Sequence, residues 1–241
     1  WGRKYTTLGL LAWYDLSGNK KALKAAGRVI DHLMTQVGPG LRNITSTGNY
    51  HGMASSSILE PVIYLYQHTG EPRYLDFAKY IAEEMNAADG PQLIDKALAG
   101  VPVSTRFPHP KVWFSVENGQ KAYEMMSCYE GLLELYKLTG EETYLKAVEA
   151  TVKTIIEQEI NIAGSGSAFE CWYGGAERQT MATYHTMETC VTFTWMQLCN
   201  RLLHITRDVA LADQLEKTIY NALLASLRGD GGQISKYSPL E

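Results

Sequence analysis

No apolar run in this 241-residue chain reaches the ~20 residues that a membrane-spanning helix needs, so a transmembrane segment is excluded. Positive charge is not in excess either. The 22 Lys and Arg are outnumbered by 26 Asp and Glu, giving a formal net charge of −4, which excludes the basic stripe of a nucleic-acid-binding surface. Cysteine is sparse. Cys128, Cys171, Cys190 and Cys199 lack the paired spacing of a zinc ribbon and are too few for a disulfide scaffold in a chain this long. There is no Gly-x-Ser-x-Gly elbow, no phosphate-binding loop and no dinucleotide fingerprint. What is plentiful is aromatic side chain, 15 Tyr and 5 Trp, which serve both in cores and along sugar-binding clefts. The length suits one large domain with a substantial core. Because the chain opens on Trp1 and residues 237–241 read as mid-loop, residues 1–241 are expected to be part of a longer protein.

One pattern recurs. Leu65-Tyr66-Gln67-His68-Thr69-Gly70 is followed by Tyr74-Leu75 and Ala78, and Leu135-Tyr136-Lys137-Leu138-Thr139-Gly140 by Tyr144-Leu145 and Val148. Looser copies run from Trp13 to Gly18 and from Leu203 to Arg207. Each copy reads as the end of an amphipathic helix, a Thr-Gly turn and the start of another helix. The glycine suits a left-handed position just past the helix end. Arg207 breaks that rule in the fourth copy. The pattern predicts helix over 58–85, 121–159 and 190–226, with breaks near Gly70, Gly140 and Arg207. Stacked hairpins close either as an open solenoid or as an α/α toroid. The long segments 37–57, 86–120 and 160–187, with aromatics at Trp113, Phe114, Trp172 and Tyr173, favour an all-α toroid with an active-site cup on one face.

The chemistry concentrates late in the chain. Glu188-Thr189-Cys190 sits where a loop enters a helix. With Thr189 as N-cap, Cys190 falls in the first turn, where the helix dipole lowers a thiol pKa. A carboxylate and a thiolate are donors suited to zinc. Glu170 follows a Gly-Ser-Gly-Ser run and precedes Cys171-Trp172-Tyr173. Aromatic neighbours and nearby negative charge are expected to raise its pKa towards general-acid duty, with Glu177 as rival. His185 is read as a substrate-contacting or supporting group. His51 and His109 are loop histidines able to meet a ligand, whereas His32, His68 and His204 are structural. The methionines of Lys121-Ala122-Tyr123-Glu124-Met125-Met126 are core packing.

The stretch from Gly164 through Glu170 to Met187-Glu188-Thr189-Cys190 and on to Trp195-Met196-Gln197-Leu198-Cys199 resembles the β-L-arabinofuranosidases of glycoside hydrolase family 127. The hairpins and Tyr220-Asn221-Ala222-Leu223-Leu224 agree with it. The resemblance implies an α/α-toroid catalytic domain of bacterial type, incomplete in this chain, and a carbohydrate substrate. It also implies a retaining hydrolase whose cysteine nucleophile is bound to zinc. It makes Glu188 and Cys190 zinc ligands and Glu170 the general acid/base. His51, Lys121, Trp172, Tyr173 and His185 are then the expected sugar-binding residues. Two departures stand out. The family's nucleophilic cysteine and its neighbour lie downstream of Glu-x-Cys, and Cys199 is too close to Cys190 to replace either. Ser55, or a neighbour, and Lys121 occupy regions where the family carries sugar-binding histidines. The competing readings are a sugar isomerase or epimerase on the same toroid and a non-catalytic glycan-binding protein.

Overall fold

The structure is a computed structural model and describes residues 1–112, 115, 117–181 and 183–239. Ten α-helices are found among them. They are α1 (Gly2–Ser17), α2 (Lys20–Met34), α3 (Met53–Ser56), α4 (Leu59–Thr69), α5 (Pro72–Asn86), α6 (Leu93–Leu98), α7 (Ala122–Thr139), α8 (Glu142–Gln158), α9 (Thr189–Thr206) and α10 (Val209–Thr218). A π-helical turn, Ile219–Leu223, extends α10. No helix of the described residues is long and apolar enough to cross a membrane. The three expected helical stretches are present, and each breaks at the expected residue.

The breaks share one construction. Gly18, Gly70 and Gly140 take φ of 66°, 67° and 72°, and each returns its N–H to the carbonyl four residues back. The residue before each turn is a hydroxyl that bonds twice. Thr69 Oγ1 donates to the Leu65 carbonyl at 2.8 Å and accepts the Glu71 N–H at 3.3 Å. Thr139 and Thr206 repeat both bonds, and Ser17 does so in the first copy. Arg207 adopts the same left-handed backbone, φ 62°, without the freedom of glycine.

Packing sorts the helices into two layers. Each hairpin pairs an inner helix with an outer one: α1 with α2, α4 with α5, α7 with α8, α9 with α10. The inner helices also pack on one another, α1 on α4, α4 on α7 and α7 on α9. The result is an arc of the α/α-toroid type. Helix α6 is a departure from the expected loop. Its Leu93, Ile94 and Ala97 are buried where it bridges α5 and α8, so an apolar stripe of two turns suffices. At the closest α4–α7 contact a Cβ on Gly131 would lie 2.9 Å from Leu59 Cβ, so no larger residue fits without separating the helices.

The inner helices are also tied by buried charge. Arg201 on α9 meets Glu60 on α4 at 2.6 Å and Glu134 on α7 at 3.2 Å, and Lys4 on α1 meets Glu60 at 3.5 Å. Tyr64 accepts from Arg201 and donates to Glu60. Glu130 belongs to the same group. Burial, with the charges of Glu60 and Glu134 in support, raises its pKa to about 7 against the pull of Arg201 and Lys4.

All four tight turns lie at one end of the arc. The long outer-to-inner connections, and with them the N-termini of α4, α7 and α9, lie at the other, and this is the end that carries chemistry.

Candidate active site

The long loop after α8 is anchored before it reaches the site. Glu159, fully buried, accepts the backbone N–H groups of Tyr173 and Gly174 at 3.0 Å. The Gly-Ser-Gly run packs against the end of α10. Gly164 at φ 85° would set a Cβ 2.8 Å from the Thr218 nitrogen, and Thr218 Oγ1 donates to the Gly164 carbonyl at 2.6 Å. Glycine is needed here because two backbones touch. Further on the loop is clasped to α7 and α9. Ala122 N–H donates to the Glu170 carbonyl at 3.0 Å, Trp172 N–H to the Gln120 carbonyl at 2.9 Å, and Phe169 N–H to the His185 carbonyl at 3.0 Å. Segment 235–238 closes the clasp. Thr189 N–H donates to the Lys236 carbonyl and Ser238 N–H to that of Thr186.

Backbone strain concentrates at this end. Among the described residues nine non-glycine residues have positive φ, and eight of them, Tyr50, His51, Gln92, Ser167, Phe169, Glu170, His185 and Met187, lie in the long connections. Left-handed backbone costs ~1–3 kcal/mol per residue and persists only where surrounding contacts enforce it.

These constraints converge on the Glu170 carboxylate. Lys121 Nζ donates to Oε2, Lys236 Nζ to Oε1 at 2.8 Å, and Tyr237 Oη to Oε1 at 3.1 Å. The pocket around it, about 270 Å³, is lined by Tyr50, Ser115, Lys121, Phe169, Cys171, His185 and Tyr237. His185 packs edge-on against Phe169 and Tyr237, with centroids 4.9 and 4.7 Å away. Lys121 Nζ sits 4.8 Å from the Tyr50 ring centroid, a cation–π contact. Glu188 is adjacent, with Oε1 3.7 Å from Lys236 Nζ.

The electrostatics reverse an expectation. Burial raises the pKa of Glu170, but hydrogen bonds from Lys121 and Lys236, the Lys121 charge and the Tyr237 bond overcome it and hold the carboxyl at about 2. Aromatic walls do not protonate a group that two ammoniums grip. Glu188 moves the other way. Burial, then the charge of Glu170, lifts it to about 7 against Lys236 and Lys121. Lys121 loses charge preference through burial and regains more from Glu124 and Glu170, so it stays firmly cationic. The Cys190 thiol is likewise corrected. Burial and the charge of Glu188 push its pKa up rather than down. Thr189 is not the N-cap. Glu188 holds that position without a side-chain cap bond, while the Thr189 hydroxyl donates to the Ser235 carbonyl.

Zinc was tested against the donors present. Glu188 oxygen and Cys190 sulfur are of the kind zinc takes. Among the described residues, however, no group of three or more His, Cys, Asp or Glu is arranged so that it could hold a metal ion. Two donors make half of a closed tetrahedral site.

The family model described as β-L-arabinofuranosidase, GH127 catalytic domain, matches residues 3–241. The chain belongs to this family. A curated relative, the non-reducing end β-L-arabinofuranosidase of Bifidobacterium longum, is 23% identical over 96% of this chain and 36% of its own length. A solved GH127 β-L-arabinofuranosidase from Geobacillus stearothermophilus T6 superposes with a TM-score of 0.72 at 18% identity, over 99% of this chain and 38% of that one. A cellobiose 2-epimerase from Bacillus thermoamylovorans gives 0.61 at 12% identity, over 98% and 66%. At these identities the likeness to solved structures concerns the fold alone. This chain spans little more than a third of the length of the two arabinofuranosidases.

Of the residues expected from sequence, the family fold brings Glu170, Lys121 and His185 into one pocket, with Glu188 beside them. Cys190 is exposed and close enough for Glu188 and Glu170 to act on its thiol. Trp172 does not belong there. It is fully buried in the core beneath Gly166, so it packs rather than binds sugar. Tyr173 also turns away, its ring against Gly175 and its charge environment set by Glu159 and Arg178. His51 stacks on Phe107, centroids 4.7 Å apart, and lines a neighbouring cleft with His109 rather than the Glu170 pocket. Ser55 Oγ donates to the Thr47 carbonyl at 2.7 Å. Glu177 is exposed in a 3₁₀ turn and does not line the pocket. Trp113 and Phe114 lie outside the described residues. Sequence reasoning passed over Tyr50, Glu124, Lys236 and Tyr237. The segment holding the last two has no periodicity, so only its hydrogen bonds to Thr186 and Thr189 reveal its role. Glu124 was legible as a carboxylate one helical turn from Lys121.

Proposed function

We propose that the protein to which this chain belongs is a glycoside hydrolase that releases L-arabinofuranose or a related sugar from glycans with retention of configuration. The observation carrying this reading is the convergence of Glu170, Lys121 and His185 on one pocket beside Glu188, at the heads of α7 and α9, within a GH127 fold. Glu170 is the acid/base. As an ionised carboxylate it suits the second half-reaction, where it takes a proton from water attacking the glycosyl intermediate. In the first half it must carry a proton to the leaving oxygen, and for that Lys236 and Tyr237 must release Oε1. Their departure leaves Lys121 on Oε2 to orient the group. His185, packed against Phe169, offers ring nitrogens to sugar hydroxyls.

Glu188 and Cys190 would be two of the ligands of a zinc ion, with the remaining ligands and the cysteine nucleophile supplied from outside this chain. Bound zinc keeps a thiolate deprotonated at neutral pH. The test uses the full-length protein. Elemental analysis after chelator-free purification should find about one zinc per chain, and an aryl β-L-arabinofuranoside should be turned over with retained anomeric configuration. Turnover by zinc-free protein, or an inverted product, would refute the mechanism. No turnover of any pentofuranoside would refute the substrate class.

A further inference from the structure

A second and larger cavity opens on the same face. Its volume is about 710 Å³, within the usual range for small-molecule sites. It lies between the N-terminus of α1, the C-terminal end of α2 and the loop leading into α4. Its lining includes Arg3, Lys4, Arg42, Gln36, Thr47 and Trp1, and no carboxylate stands among its lining residues. Lys4 is paired with the buried Glu60, but in a chain with net charge −4 the two exposed arginines, Arg3 and Arg42, leave the cavity a local positive excess.

The two arginines differ from the cations of the acid pocket. Lys121 and Lys236 are saturated by Glu170. Arg3 instead donates to the neutral Gln36 amide at 2.7 Å, and Arg42 to the Ser46 carbonyl at 3.3 Å. Among the described residues neither forms an ion pair with a carboxylate. Lys4, 97% buried, lies at the cavity floor with its Nζ 3.5 Å from Glu60 behind it. The wall towards the acid site is shared. The Trp1 ring meets Tyr123 at 5.1 Å, two residues from Lys121, and the loop that provides Tyr50 to the Glu170 pocket provides Thr47 and Ser55 here.

We infer that this cavity is an anion-selective glycan subsite that takes an acidic sugar, through its carboxylate or sulfate, next to the residue being cleaved. Guanidinium forks suit such planar or multi-oxygen anions. Gln36 and Thr47 offer bonds to ring hydroxyls, and Trp1 offers a ring face. The inference rests on the glycosidase reading, but its test reads binding and does not need turnover.

The experiment is calorimetric titration of full-length protein with three probes: a tetragalacturonate, its carboxyl-reduced neutral counterpart, and a sulfated galactan tetrasaccharide. Both anionic probes should bind, or the one whose anion fits, at least tenfold more tightly than the neutral one. Arg42→Gln and, separately, Arg3→Gln should each weaken binding at least fivefold. Both arginines are exposed, so folding is not at stake. Turnover of a small aryl arabinofuranoside should be unchanged in both variants, since such a substrate does not reach the cavity. Preference among the two anionic probes separates carboxylate from sulfate. Equal affinity for the neutral probe, or unchanged affinity in both variants, would overturn the subsite. Anion binding without turnover of any pentofuranoside would keep the subsite and refute only the glycosidase reading.

Discussion

The two ends of the helical arc are built on opposite rules. At the turn end, four connections of two residues repeat one device, a hydroxyl followed by a left-handed residue, and three of the four use glycine. At the loop end, three long connections follow no common pattern, and of the nine positive-φ non-glycine residues among the described residues all but Arg207 lie in them. The turn end places glycine where the backbone is strained. The loop end places tyrosine, histidine and glutamate in the same conformation. Their side chains are what the site requires, and the clasp of hydrogen bonds around them offsets the cost.

The sharpest way to break this contrast is at Glu170. In the full-length enzyme, Glu170→Gln should lower turnover of a glycoside with a poor leaving group by a factor on the order of 10²–10⁴. An activated aryl glycoside should lose less in the bond-cleaving step. Thermal melting should also fall, because the ion pairs to Lys121 and Lys236 are lost, so the kinetics are compared well below the variant's melting temperature. If Glu177→Gln gives the kinetic loss and Glu170→Gln does not, the loop end has been misread.

Next in size is the network between the ends. Arg201→Met leaves the buried Glu60 with only Lys4 at 3.5 Å and Glu134 with only Lys137, which should cost ~3–5 kcal/mol by denaturant unfolding. A loss below ~1 kcal/mol would mean that the inner helices hold together by apolar packing alone.

A smaller effect concerns pH. Glu130 has a folded pKa of about 7 where an unfolded carboxyl ionises near the usual 4.5. The folded state therefore keeps a proton that the unfolded chain loses. The associated stability is complete below the unfolded value and is lost as pH rises through about 7. Glu130→Gln should flatten the stability profile between pH 5 and 8. An unchanged slope would place the titration elsewhere. Glu170 runs the other way: its ion pairs contribute fully above the unfolded pKa and fade as pH falls towards about 2.

The smallest effect completes the comparison. Arg207→Gly relieves a left-handed arginine at some cost in chain entropy and should stabilise the fold by ~0.5–1 kcal/mol. Gly140→Ala, at φ 72°, should destabilise it by about as much. Neither should alter turnover. A kinetic effect from either would mean that the two ends are coupled.

The hairpins were readable because their information is local. A helix period, a hydroxyl and a left-handed glycine all fall within a dozen residues, and each is fixed by short-range sterics and hydrogen bonds. Glu170, Glu188 and Cys190 stood out by residue type and spacing. Their protonation did not, because the ammoniums that set it come from Lys121, 49 residues before Glu170, and Lys236, 66 residues after. Trp172 and Tyr173 misled for the same reason. A sequence shows that an aromatic follows a carboxylate but not which way its ring turns, and here the clasp to Gln120 and the anchor at Glu159 send both rings away from the pocket. The sequence by itself determined the helices, their turns and the identity of the reactive groups. Only the tertiary structure decided which charges face one another, because Coulomb and desolvation energies depend on distances and burial that arise when segments far apart in the chain are packed together.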